Sequence, residues 1–175
     1  MLFRSLSGHQ YFPSEPWLFE EMMQGLPIRF QDFTFVDLGS GKGRALLMAA
    51  LYGFRRIIGV EYMPEWHRAG EENIRKYAAN CAAQNKPAAA IDTVRMDARD
   101  FEFPAGPLVV YMFNPFPEPV LAAVLDKLRQ SLLSNPRPVF VAYRYVEFEH
   151  LLIKCGWLEK IAGTQQWAVW RNPVI

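Results

Sequence analysis

Along this chain, short unbroken apolar runs alternate with longer stretches in which apolar residues recur every three or four positions. The runs Phe33–Leu38, Arg56–Glu61, Ile91–Met96, Leu108–Phe113 and Val139–Tyr143 predict strands, being rich in β-branched and aromatic residues. The intervening stretches predict helices over Trp17–Gln24, Lys42–Tyr52, Pro64 to about Gln84, Pro119–Leu133 and Val146–Lys154. Ser14 is placed to cap the first helix, with Pro16 and acidic residues in its first turn. Gly25, Gly53 and Gly156 are natural stops, and Pro64 suits a first turn, where its missing N–H costs nothing. Trp157–Ala162 and Gln166–Arg171 predict a terminal hairpin across Gly163-Thr164.

Strands that alternate with helices imply βαβ units and an α/β fold with a mostly parallel sheet. The runs around Val36, Val109 and Val139 are apolar at nearly every position, as strands buried on both faces must be. Right-handed crossovers then bring the carboxyl ends of the parallel strands to one edge, where such folds bind ligands. The 175 residues suit one domain, with residues 1–32 as a helical cap segment and 33–175 as the ligand-binding body.

Composition narrows the function classes. Nineteen Lys and Arg against eighteen Asp and Glu give a net charge of +1, without the basic excess of a dedicated nucleic-acid binder. Cys81 and Cys155 lie far apart, and His9, His67 and His150 have no partner at metal-ligand spacing, so neither a disulfide scaffold nor a metal site is expected. No stretch approaches the length of a membrane span, and a cytoplasmic protein is expected. The 14% aromatic share is assigned to core packing. Trp66, His67, Trp157, Trp167 and Trp170 are read as packing or surface residues, and Arg55-Arg56 as a solvated pair.

The chemistry is expected just after the strands. The first turn reads Asp37-Leu38-Gly39-Ser40-Gly41-Lys42-Gly43-Arg44, with glycines at alternate positions that let a ligand approach the backbone. A P-loop would need glycine five residues before Gly41, where Val36 stands. A dinucleotide fingerprint counted from Gly39 would need its third glycine at position 44, where Arg44 stands; Gly43 comes one residue early. Glu61 closes the second strand, where an acid can accept from both hydroxyls of a ribose. Asp97-Ala98 follows the third strand and Asn114-Pro115-Phe116 the fourth.

Val36-Asp37-Leu38-Gly39-Ser40-Gly41-Lys42-Gly43-Arg44 resembles the first motif of class I S-adenosylmethionine-dependent methyltransferases. The run from Tyr11-Phe12-Pro13 to Asn114-Pro115-Phe116 is similar to a group of small bacterial enzymes of this class whose substrate is uncertain, and the resemblance is specific only in the cofactor motifs. It is distantly similar to Dot1-like protein-lysine methyltransferases as well. It implies a three-layer Rossmann-like fold with an antiparallel final strand, here Gln166–Arg171, and S-adenosyl-L-methionine as cofactor. It further implies that Asp37 serves the ammonium of the cofactor, with Gly39, Ser40, Gly41 and Gly43 around its amino-acid end. Glu61 would take the ribose hydroxyls, and Asp97 and Ala98 the adenine edge. Tyr11 and Pro13 would fold over the methionine end.

Asn114-Pro115-Phe116 is similar to the [DNS]-P-P-[YF] motif of amino-group methyltransferases, with Phe116 where the second proline would stand. The likeness implies that Asn114, Pro115 and Phe116 face the acceptor and favours a nitrogen, of a protein lysine or a small amine, with a small hydroxyl compound as the alternative. Arg144 and Tyr145, after the fifth strand, are candidates for substrate contact. Two rivals stand beside this reading: a cofactor-binding subunit without catalysis, and a nicotinamide-dependent oxidoreductase, which the glycine spacing disfavours.

Overall fold

The computed structural model describes residues 14–173. Seven strands form one sheet in the order β3-β2-β1-β4-β5-β7-β6. They are β1 (Thr34–Leu38), β2 (Arg56–Glu61), β3 (Ile91–Arg95), β4 (Leu108–Phe113), β5 (Val139–Arg144), β6 (Glu159–Gly163) and β7 (Trp167–Arg171). The first five are parallel, and β7 runs antiparallel to both β5 and β6. This is the expected mostly parallel sheet with its terminal hairpin. Every residue of β1, β4 and β5 except Phe113 is buried, as their unbroken apolar runs require.

Helices cover both faces. The helices α1 (Pro16–Gln24), α2 (Arg44–Ala49) and α3 (Pro64–Ala83) lie on one side, and α4 (Glu118–Ser134) and α5 (Glu149–Lys154) on the other. The α4 side packs Leu121, Val124, Leu125 and Leu128 against Val36, Val110 and Val141. On the α1 side lies an aromatic cluster. Phe19 meets Phe35 edge-on at 5.9 Å and Tyr111 at 5.4 Å, and Phe30 meets Phe54 at 5.0 Å. Edge-to-face pairs of this kind add about 0.5–1.5 kcal/mol each beyond the area they bury. Much of the aromatic content is therefore core, as the composition suggested.

Local geometry corrects several expected boundaries. Ser14 does not cap α1: the N-cap is Glu15, no side chain caps it, and no acid lies in the first turn. The Ser14 hydroxyl is instead hydrogen-bonded to Tyr111 at 2.8 Å, a partner 97 residues away. The second helix begins at Arg44 rather than Lys42, because Gly43 has φ +79°, outside helical space, and its last turn, Ala50–Tyr52, tightens to 3-10. The fifth helix begins at Glu149 rather than Val146: Tyr145 turns at φ +58°, the Glu147 N–H donates to the Tyr145 carbonyl, and the N-cap is Phe148. The hairpin is shorter than expected, with a turn over Thr164, Gln165 and Gln166.

The strand order reverses between β1 and β4. In an open α/β sheet that reversal opens a crevice at the carboxyl edge. The ends of β1, β2, β3 and β4 all reach this edge.

Candidate cofactor site

The turn after β1 is shaped by backbone conformation. Gly39, Gly41 and Gly43 have φ of +80°, +53° and +79°, which residues with a Cβ adopt only at a cost. The N–H groups of Gly39 and Ser40 both donate to the Val60 carbonyl, at 2.8 and 3.0 Å, which ties the turn to β2. The Gly41 N–H donates to Oε2 of Glu61 at 2.7 Å, and the Met63 N–H donates to Oε1 at 2.8 Å. Glu61 is only 4% exposed, so these bonds stabilise a carboxylate that would otherwise be costly to bury. Each of its oxygens keeps a lone pair for a further donor.

Asp37 lies on the α1 side of the sheet and is 3% exposed. Burial, with a smaller contribution from the Glu61 carboxylate, pushes its pKa up to about 8. A group in that state is poised to meet a cation, which would restore its charge. Tyr111 pairs with Asp37 across β1 and β4, and burial raises its phenol as well.

Three residues outside the expected motif hold the turn. A Cβ on Gly59 would lie 2.6 Å from Leu46 Cδ1 and 2.8 Å from Ser40 Oγ. One on Gly70 of α3 would lie 3.2 Å from the Gly41 carbonyl. Asn73, one turn further along α3, donates from Nδ2 to the Lys42 carbonyl at 3.0 Å. The helix after β2 thus packs directly against the glycine turn. Gly59 and Gly70 were visible as glycines in the sequence, but nothing there identified what approaches them.

After β3, Asp97 caps a 3-10 turn over Ala98–Asp100. Its Oδ1 accepts from the Arg99 backbone N–H at 2.9 Å and from Arg99 Nε at 3.0 Å, and its Oδ2 accepts from Arg99 Nη2 at 2.7 Å. The Arg99 hydrogen bonds hold the Asp97 carboxyl below the usual range.

After β4, Asn114 adopts φ +37°. Its Oδ1 accepts from the Tyr143 hydroxyl at 2.8 Å, and its Nδ2 donates to Glu147 Oε2 at 2.8 Å. Burial pushes the Tyr143 phenol up to about 12, so it stays a donor. Pro115 lies against the first turn: a Cβ on Gly39 would stand 2.4 Å from Pro115 Cβ. Phe116 is partly buried and packs on the α4-side core. The Asn114 amide is therefore oriented by Tyr143 and Glu147, a pair the sequence did not single out.

Of the two substrate-contact candidates, Tyr145 is exposed and Arg144 is buried. Arg144 donates to the Gln166 carbonyl at 2.9 Å, approaches Glu15 at 3.4 Å and lies 5.1 Å over the Phe113 ring. It joins β5 to the chain entering α1. Tyr11 and Pro13 lie outside the described residues. Among the described residues, no group of three or more His, Cys, Asp or Glu side chains is placed to hold a metal ion. Among them, too, no helix is long and apolar enough to cross a membrane.

Comparison with known proteins adds a family and a fold. A family described as "Histone methylation protein DOT1" matches residues 3–103. No curated protein matches the chain. Among solved structures, an RNA methyltransferase from Salinibacter ruber in complex with S-adenosyl-L-homocysteine aligns at TM-score 0.57 and 18% identity, over 93% of this chain and 94% of that one. A putative S-adenosyl-L-methionine-dependent methyltransferase from Methanococcus maripaludis aligns at TM-score 0.64 and 13% identity, over 91% and 85%. A precorrin-6y C5,15-methyltransferase from Geobacter metallireducens aligns at TM-score 0.62 and 11% identity, over 97% of each chain. At these identities the likeness is one of fold.

Proposed function

This chain belongs to the DOT1 family, and from that premise we propose that it is an S-adenosylmethionine-dependent methyltransferase acting on a nitrogen of a protein or small-molecule acceptor. The observation that carries the reading is the convergence of Asp37, Glu61 and Asp97 with one glycine turn on a single sheet edge, the Gly41 N–H bonded to Glu61.

The residues present fit that cofactor. Its amino-acid end carries an ammonium, which suits the buried Asp37 carboxyl, and the glycine turn offers close backbone approach. Its ribose has two hydroxyl donors, and Glu61 has a free lone pair on each oxygen after accepting Gly41 and Met63. Its adenine presents an amino donor beside a ring-nitrogen acceptor, a pattern that Asp97 and the Ala98 N–H complement.

When bound, the cofactor supplies an electrophilic methyl group that is already activated. The protein's own task is then to bind, orient and exclude water. The end of β4 is where an acceptor would be held. Asn114 Oδ1 keeps one lone pair beyond the bond from Tyr143, and the Pro115 carbonyl is a second acceptor; together they could receive the two N–H groups of an amine. Phe116 would wall that site. The near-balanced charge of the chain favours a protein or small-molecule acceptor over bulk nucleic acid.

The test is calorimetric titration with S-adenosylhomocysteine, beside NADH, of the wild type and Glu61→Ala. Micromolar binding of the homocysteine compound, weakened tenfold or more in the variant, is expected. Binding of NADH alone, or of neither compound, would overturn the proposal. A protein that binds the cofactor product yet transfers no label from S-adenosylmethionine to any acceptor in a lysate would instead be a non-catalytic subunit.

A further inference from the structure

Arg99 lies two residues beyond Asp97 and is half-exposed, with 54% of its side-chain surface accessible. A local surface ion pair contributes little stability. Its geometry here is nonetheless unusually complete. Arg99 places three N–H donors on one carboxylate: its own backbone N–H and Nε on Oδ1, and Nη2 on Oδ2. A carboxylate oxygen accepts about two good hydrogen bonds. Oδ1 is therefore saturated, and Oδ2 retains one lone pair. The guanidinium is within electrostatic reach of Tyr62, which follows Glu61 at the end of β2. Arg99 thus lies at the carboxyl edge of the sheet, just after β3.

We propose that Arg99 is the positioning residue that makes the base pocket selective for a 6-amino purine, by fixing Asp97 as an acceptor with one open lone pair on Oδ2. This inference rests on the cofactor reading above. An adenine offers a donor to that lone pair and an acceptor to the neighbouring Ala98 N–H. A 6-oxo purine reverses both groups, setting its oxygen against the carboxylate and its N1–H against a donor. A site built to hydrogen-bond one donor and acceptor pattern rejects the reversed pattern more strongly than a change of size. Without Arg99 the carboxylate would turn freely, and its oxygens would no longer be held in one register against the amino donor. The charged or titratable groups that act on this pair are Arg99 itself, Asp100 and Tyr62.

The experiment compares S-adenosylhomocysteine with S-inosylhomocysteine, by calorimetry, on the wild type and Arg99→Ala at pH 7.5 and 5.5. Taking the ratio of the two affinities cancels any proton release at Asp37, because both ligands carry the same amino-acid end. The wild type should prefer the adenosyl compound by 100-fold or more at both pH values. In Arg99→Ala the ratio should fall at least tenfold at both pH values, with the adenosyl compound carrying most of the loss. Arg99→Lys, which keeps the charge without the fork, should fall between the two. An unchanged ratio in Arg99→Ala, or an equal weakening of both ligands, overturns the assignment to Arg99 and leaves the cofactor reading standing. A wild type that binds neither ligand overturns both.

Discussion

The buried carboxyl of Asp37 makes a quantitative prediction about ligand binding. With its pKa at about 8, the free protein at pH 7 holds Asp37 protonated in roughly ten molecules of every eleven. An ammonium brought beside it favours the ionised form and lowers the pKa by several units. Binding at neutral pH therefore expels about one proton. Observed affinity follows the ionised fraction of the free protein, which is about 1% at pH 6 and about half at pH 8. Affinity for S-adenosylhomocysteine should rise about 50-fold over that interval, or about 2.3 kcal/mol. The rise should level off above pH 8. Calorimetry in two buffers of different ionisation enthalpy reads the proton count directly, and titrations at pH 6, 7 and 8 read the slope. Asp37→Asn, which cannot ionise, should bind more weakly at pH 8 and lose the slope. The reasoning is refuted if wild-type affinity is flat from pH 6 to 8, or if the slope survives in the variant.

The same carboxyl affects folding in the absence of ligand. Its folded pKa lies above its unfolded one, so the folded state binds more protons between about pH 4 and 8, and stability falls with rising pH by up to about 1.4 kcal/mol per unit. Urea unfolding should show Asp37→Asn more stable than the wild type at pH 8, with the advantage shrinking towards pH 4; an advantage equal at both pH values would contradict this. Gly39→Ala, at φ +80° and with a Cβ 2.4 Å from Pro115, should lose at least about 1–2 kcal/mol of stability and most ligand affinity, and wild-type values for both would refute the contact. In Gly70→Ala, improved helix propensity of about 1 kcal/mol opposes the 3.2 Å approach to the Gly41 carbonyl, so stability should change little while ligand affinity falls several-fold. Loss of both together would show Gly70 to be purely structural.

The sequence revealed most where the signal is local. Unbroken apolar runs marked β1, β4 and β5, and β2 and β4 agree with the expected bounds at both ends, because strand burial on two faces leaves little ambiguity. The glycine turn was legible because its spacing is itself the conformation. Helix starts were less so: Lys42 and Val146 look helical, but the left-handed backbone of Gly43 excludes the first and the non-helical N-cap at Phe148 the second. Ser14 has the chemistry of a cap, yet its partner Tyr111 arrives from a distant strand, which no short-range rule anticipates. Glu147 reaches Asn114 from 33 residues away for the same reason. Arg99 is a different case. Its partner is two residues off, but only the side-chain geometry distinguishes a full grip on Asp97 from an incidental surface charge.

The contact between Gly39 and Pro115 has a consequence for how such a protein could be diversified. One wall of the crevice belongs at once to the turn after β1 and to the turn after β4, so these are not interchangeable parts. A graft that replaced the whole β4 turn to change the acceptor would disturb the glycine turn as well. Phe116, Tyr145 and Glu147 stand outside that shared wall. Engineering for a new acceptor should begin with those three and leave Pro115 in place.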